Sequence, residues 1–132
     1  MFETEKGIVR LTQRHEAEMR IMIYKYAEAN GVNCLLPETL LDISDDMFGL
    51  TVQEKITPVT FKSDEEVFSK LTTTEIAFLK DNGFMWVANG NCGLVEDKIK
   101  IFDYIANFSA RKKENGRYAL FGGVKGEELY ES

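Results

Sequence analysis

The stretch Leu71–Val95, LTTTEIAFLKDNGFMWVANGNCGLV, constrains this chain more than any other. Thr72 and Glu75 have the spacing of a capping box, in which a hydroxyl and a carboxylate satisfy the free amides of a helix start reciprocally. Ile76, Phe78 and Leu79 follow, and Asn82-Gly83 supplies a stop, because glycine enters the left-handed region without steric cost. The spacing predicts a helix over Thr72–Asn82. Phe84–Ala88 is rich in strand formers. Asn89-Gly90 has the residues of a tight hairpin turn, and Asn91–Val95 reads as the returning strand.

Upstream, Ser63 and Glu66 repeat the capping spacing, predicting a short helix from Ser63 to Leu71, back to back with the next. From Thr12 the apolar residues Met19, Met22, Ile23, Tyr26 and Ala27 recur at helical spacing up to Asn30-Gly31, which predicts a long helix. A second long helix is expected over Glu96–Lys113, with Ile99, Phe102, Ile105 and Ala106 on one face, although its opening KIKIF also alternates as a strand does. Pro37 fits the first turn of a short helix, PETLLDI. Extended segments are expected near Ile8-Val9, at Leu50, Val52, Ile56, Val59 and Phe61, and over Arg117–Phe121. Gly122–Ser132 reads as a loop or tail. The expected fold is α+β: one compact domain over residues 1–132, with two long helices, two short capped helices and a small antiparallel sheet that includes a hairpin near 84–95. Residues 1–10 and 123–132 are expected to be flexible ends.

At 132 residues and 44% hydrophobic content the chain can bury a core without disulfide or metal staples. The net charge of −6 disfavours nucleic acid as a general partner, since an acidic surface repels phosphate. No apolar run reaches membrane-spanning length and no signal peptide opens the chain, so a cytoplasmic setting with Cys34 and Cys92 as free thiols is expected.

Cys92 is the first candidate nucleophile. Gly90-Asn91-Cys92 resembles part of the Asp-Gly-Asn-Cys motif of ovarian-tumour-type deubiquitinases, and Cys92-Gly93-Leu94 is similar to the Cys-Gly-apolar motif of SUMO proteases. The first resemblance implies a histidine after the cysteine, and none follows. The second implies an upstream His-Trp, whereas His15, the single histidine, precedes Glu16. A buried hairpin cysteine is the expected reading, with Cys92 and His15 kept as catalytic candidates. His15 and Glu18 have a spacing compatible with metal ligation but lack further ligands, so no metal and no cofactor are expected. Asp42, Asp45 and Asp46 do not fit calcium-loop spacing and read as a solvated acidic turn.

Arg111, Lys112, Lys113 and Arg117 form a candidate anion or phosphate contact, near the glycine-rich Gly122-Gly123-Val124-Lys125-Gly126, which lacks phosphate-loop spacing. Phe84, Met85, Trp86, Asn89 and Asn91 are the candidate partner-binding residues, because aromatic and Met side chains concentrate at interface centres. With no complete catalytic constellation, the expected function is a non-enzymatic protein-interaction domain. One specific form is an acidic, phage- or accessory-gene-type inhibitor or regulator of a nucleic-acid-handling protein. The alternatives are a winged-helix-like DNA-binding regulator, a cysteine-dependent hydrolase and a self-assembling structural subunit.

Overall fold

The computed structural model describes residues 2–5, 7–41, 47–84, 87–104, 107–122 and 126–131. Among these it contains ten strands in three antiparallel sheets and three helices. Strands β1 (Phe2–Thr4), β2 (Gly7–Gln13), β3 (Glu38–Leu41) and β4 (Phe48–Gln53) form a four-stranded sheet in the order β1-β2-β4-β3. Strands β5 (Pro58–Thr60), β6 (Asn89–Val95) and β7 (Lys98–Ile101) form a second sheet. A third is the meander of β8 (Phe108–Lys112), β9 (Tyr118–Gly122) and β10 (Glu127–Glu131). The helices are α1 (Arg14–Ala29), α2 (Asp64–Phe68) and α3 (Thr73–Asp81).

The two-long-helix architecture is therefore corrected to a sheet-rich one with a single long helix. That helix, α1, begins directly where β2 ends, so Thr12 and Gln13 belong to the strand. Its start lacks a side-chain cap, and the Arg14 amide donates instead to the Met47 carbonyl at 2.9 Å. Its end follows the Asn30-Gly31 signal, with Gly31 at φ +73° and the Asn30 amide side chain donating to Tyr26 O. Ala17, Ile21, Met22, Ile23 and Ala27 are its buried residues.

The expected helix over Glu96–Lys113 is replaced by β7, residues outside regular structure and β8. In β7 the burial has period two, with Ile99 and Ile101 inside and Lys98 and Lys100 less so. The turn that starts it is Glu96-Asp97, both in the left-handed region (φ 52° and 65°), joining Val95 to its partner Lys98. A two-residue connection with both φ positive matches the strand twist, the geometry usually supplied by Asn-Gly.

Asn89-Gly90 is not the hairpin turn. Both residues lie in β6, where the register against β5 slips between Val59↔Cys92 and Thr60↔Asn89, and the positive φ of Gly90 (+79°) serves this irregularity. Phe84 and the turn residues Val87 and Ala88 precede β6, while Met85 and Trp86 lie outside the described residues. Glu38–Leu41, expected in a short helix, is strand β3. The expected tail contains β10.

The capped pair is present with shorter helices. Thr72 and Glu75 make both bonds of the box at the start of α3. At α2 the Ser63 hydroxyl accepts from the Glu66 amide, but the Glu66 carboxylate accepts from the amide of Lys62. The core runs through α1, α2, α3, β6, β7 and β9, including Met22, Ile23, Val67, Leu79, Cys92, Ile101 and Leu120. A chain of aromatic contacts, Tyr26–Phe78–Phe84–Phe108, crosses it at 5.4 to 6.0 Å between ring centroids.

Candidate interaction surface

Partners across antiparallel strands share a face of the sheet. In the four-stranded sheet, Ile8↔Gln53, Arg10↔Thr51 and Thr12↔Gly49 place Arg10, Thr51 and Gln53 on one face, with Glu38 opposite Gln53 in β3. That face meets α1. A Cβ built on Gly49 would lie 2.4 Å from the Cβ of Ala17, so β4 approaches the helix as closely as a glycine permits.

The polar groups on this inner face form one network. The Glu38 carboxylate is fully buried. It accepts from Arg20 Nε at 2.7 Å to each oxygen, from Arg10 at 3.3 Å and from the Thr51 hydroxyl at 2.8 Å. Arg10 also donates to Gln53 Oε1 at 2.6 Å, and Gln53 donates to the Leu36 carbonyl and the Tyr104 hydroxyl. Tyr104 donates to the same carbonyl. Arg20 reaches onward to Phe102 O at 2.7 Å and lies over the Tyr104 ring. Burial lowers the Arg10 guanidinium from its ordinary value, helped by the Arg20 charge, while burial and then the Glu38 charge raise the Tyr104 phenol. Among the described residues, no buried side-chain nitrogen or oxygen lacks a hydrogen-bond partner. A network so fully paired holds structure together and leaves little for a substrate to engage.

The other face follows by alternation. Val9↔Val52, Leu11↔Leu50 and Gln13↔Phe48 across β2 and β4, with Thr39↔Val52 and Leu41↔Leu50 across β3, all point away from α1. Val9, Leu11, Leu41, Phe48, Leu50 and Val52 thus share one outer face; Val9 is buried at 7% exposure, and the other five lie outside the core cluster. Leu11 is 54% exposed and Phe48 42%. No Asp, Glu, Lys or Arg stands among the paired outer positions of β2, β3 and β4. Where Phe48 meets the turn into α1, the face continues into an open cleft of 270 Å³ lined by Gln13, Arg14, His15, Met47, Phe48 and Tyr118. The sheet thus turns its ionic network toward the helix and an uncharged, largely apolar face away from it.

Apart from His15, the residues singled out from sequence lie elsewhere. Cys92 is fully buried in β6; its thiol donates to Val87 O at 3.3 Å, and burial, with the nearby Asp64 charge, pushes its pKa up to about 11. A thiol so held is protonated at neutral pH, whereas the thiolate is the nucleophilic form. His15 is exposed in the first turn of α1, on the cleft. Cys34 is buried too and is pushed up to about 12 by burial, with Glu75 adding to it. Among the described residues, no group of three or more His, Cys, Asp or Glu could hold a metal ion, and no helix is long and apolar enough to cross a membrane.

Of the candidate partner-binding residues, Phe84 is packed in the aromatic core, Asn89 is exposed, and Asn91 is half-buried, its carbonyl accepting from the Phe102 and Asp103 amides. The cationic cluster is divided among neighbours. Lys113 pairs with Glu128 and Glu131 at 3.0 Å, Arg111 stacks on Phe121, and Lys112 and Arg117 are exposed. Gly123, Val124 and Lys125 lie outside the described residues, as do Asp42, Asp45 and Asp46.

No protein-family model, curated protein or solved structure matches this chain. One signal for the outer sheet face was in the sequence: Val9-Arg10-Leu11-Thr12 and Leu50-Thr51-Val52-Gln53 both alternate strictly. Alternation separates two faces without saying which is inside.

Proposed function

We propose that this chain is a non-enzymatic protein-interaction domain whose contact surface is the outer face of the four-stranded sheet. The observation that supports this reading is the uncharged outer face, on which Leu11 and Phe48 are exposed and Leu41, Leu50 and Val52 half-buried, all outside the core cluster. Contiguous exposed apolar surface is rare on isolated chains and marks association sites. The two buried thiols and the closed polar network argue for binding over catalysis. The acidic-regulator form of the same function draws on the net charge of −6 and would use the charged remainder of the surface. Salt separates the two, because screening weakens an acidic–basic contact and spares an apolar one.

A photoreactive residue at Leu11 tests the surface directly, with Asn115, exposed on the β8–β9 turn, as control. A protein adduct at position 11 that is absent at position 115 is the expected result, whether the captured chain is a second copy or a different protein. Equal labelling at both positions, or none at position 11, removes the proposal.

A further inference from the structure

We infer that the occupant of the outer sheet face is a second copy of this chain, the two sheets stacked face to face about a two-fold axis; the inference rests on the contact surface proposed above. Charge is the first argument. Each copy carries −6, so a self-contact through most of the surface brings like charges together. The paired outer positions of β2, β3 and β4 carry no charge, so two copies can approach there without that penalty. An uncharged face also offers no pattern of ion pairs by which an unrelated partner would be selected, whereas it is complementary to itself, as a two-fold contact requires.

The layout is the second argument. Leu50 and Val52 on β4 and Leu11 on β2 occupy the two central strands, Leu41 on edge strand β3 and Phe48 at the end of β4 carry the apolar surface outward, and Thr39 and Gln13 are the polar positions at its margin. That is a contiguous apolar centre, a feature of protein interfaces. Sheets packed face to face are an ordinary architecture, about 10 Å apart with strands nearly aligned.

Size sets the strength. Strands of seven, four and six residues, rising about 3.4 Å per residue and spaced about 4.8 Å apart, give a footprint of roughly 20 by 15 Å. With side-chain relief the area buried by both copies comes to somewhat below about 1,000 Å², the range of weak, reversible association. The expected dimer is reversible, with a dissociation constant on the order of tens of micromolar.

Sedimentation velocity over a concentration series from about 1 to about 200 μM tests this, spanning the expected constant. The wild-type chain should pass from 15.1 kDa to twice that mass, with added salt leaving the dimer unchanged or strengthening it. Leu11→Glu and Leu50→Glu should each stay monomeric. An equimolar mixture of Leu50→Glu and Leu50→Lys should regain the dimer, since residues near a two-fold axis meet their own counterparts. Thermal melts report whether each variant is folded; should Leu50→Glu not fold, Leu11→Glu carries the test from a position already more than half exposed. A wild-type chain that stays monomeric throughout, or a Leu11→Glu chain that dimerises as the wild type does, overturns the inference. A monomer whose position-11 probe captures a different protein overturns the second copy alone; a monomer with no adduct removes the contact surface as well.

Discussion

Replacing Glu38 by Gln should be among the most destabilising single changes in this chain. The side chain is fully buried and the Arg20 and Arg10 side chains are only 12% and 16% exposed, so the carboxylate neutralises two nearly dehydrated cations. Its two oxygens accept from Arg20, Arg10 and Thr51, and the glutamine amide group would turn a donor toward one of those donors. Removing one partner of a buried ion pair costs about 3–5 kcal/mol when the remaining charge is left uncompensated, and the partly exposed Asp103, 3.8 Å from Arg20, places the loss toward the lower figure. Out of a total stability of about 5–15 kcal/mol that is a large fraction. Urea unfolding followed by circular dichroism should show a lower midpoint with an unchanged slope, the mark of lost stability without a change in compactness. Thr51→Val, which removes one hydrogen bond to the charged group, should lose less, about 1.5–3 kcal/mol. The paired replacement Glu38→Leu with Arg20→Met should lie well above Glu38→Gln, since apolar substitutes of similar volume are often no worse than a buried pair. A loss below about 1 kcal/mol for Glu38→Gln, or a paired variant no better than the single one, would refute the reasoning that the network is closed and buried.

Three further outcomes follow from particular residues. Burial raises Cys92 from 9.0 to about 11 and Cys34 to about 12, so both thiols stay protonated in the fold after they ionise in the unfolded chain. Their contribution is whole below pH about 9 and is lost as pH rises toward those values, by about 1.4 kcal/mol per pH unit and thiol; unfolding midpoints between pH 8 and 11 (about the range in which thiols titrate) should fall more steeply than those of a Cys34→Ala, Cys92→Ala chain, and a thiol reagent at neutral pH should label neither cysteine before unfolding. Glu96-Asp97→Asn-Gly replaces two side chains held at positive φ by residues suited to it and should stabilise by about 1 kcal/mol in thermal or urea unfolding. Gly49→Ala puts a methyl group 2.4 Å from the Ala17 Cβ and should cost about 1–3 kcal/mol by forcing α1 from the sheet, read by the same unfolding measurement.

What could be read in the sequence was local. The box at Thr72 and Glu75 and the stop at Asn30-Gly31 are complete within a few residues, and both are present in the fold. Where two periods coincide the reading went wrong: Ile99 and Ile101 satisfy a strand, while Ile99 and Phe102 satisfy a helix, and the deciding turn, Glu96-Asp97, contains neither Gly nor Asn. Asn89-Gly90 signals positive φ at Gly90, but a strand irregularity uses that as readily as a turn does. Pro37 suggested a helix start over Glu38–Leu41, yet that segment is set by distant partners, Arg20 on α1 and the residues of β4. The outer face was invisible for a related reason. The alternation in β2 and β4 separates two faces, and only the placement of α1 shows which of them the helix covers.

That placement is informative because hydrophobic burial alone would reverse it. A one-residue slip of a strand exchanges its two faces and would carry the outer leucines and valines against α1. Each such side chain, fully buried, would contribute roughly 1.5–3 kcal/mol. The slip is opposed by specific contacts: it would leave Arg20 without Glu38 and bring side chains to the place where Gly49 touches Ala17. A buried ionic network is a poor source of stability and a better source of register, since its members tolerate one arrangement only. Glu38, Arg10, Arg20, Thr51 and Gln53 therefore fix the orientation of the sheet, because the reversed arrangement would part the ion pairs and hydrogen bonds that they make with one another. The apolar face is held away from the helix against its own tendency to be buried, and the association proposed above would let it leave water with the register intact.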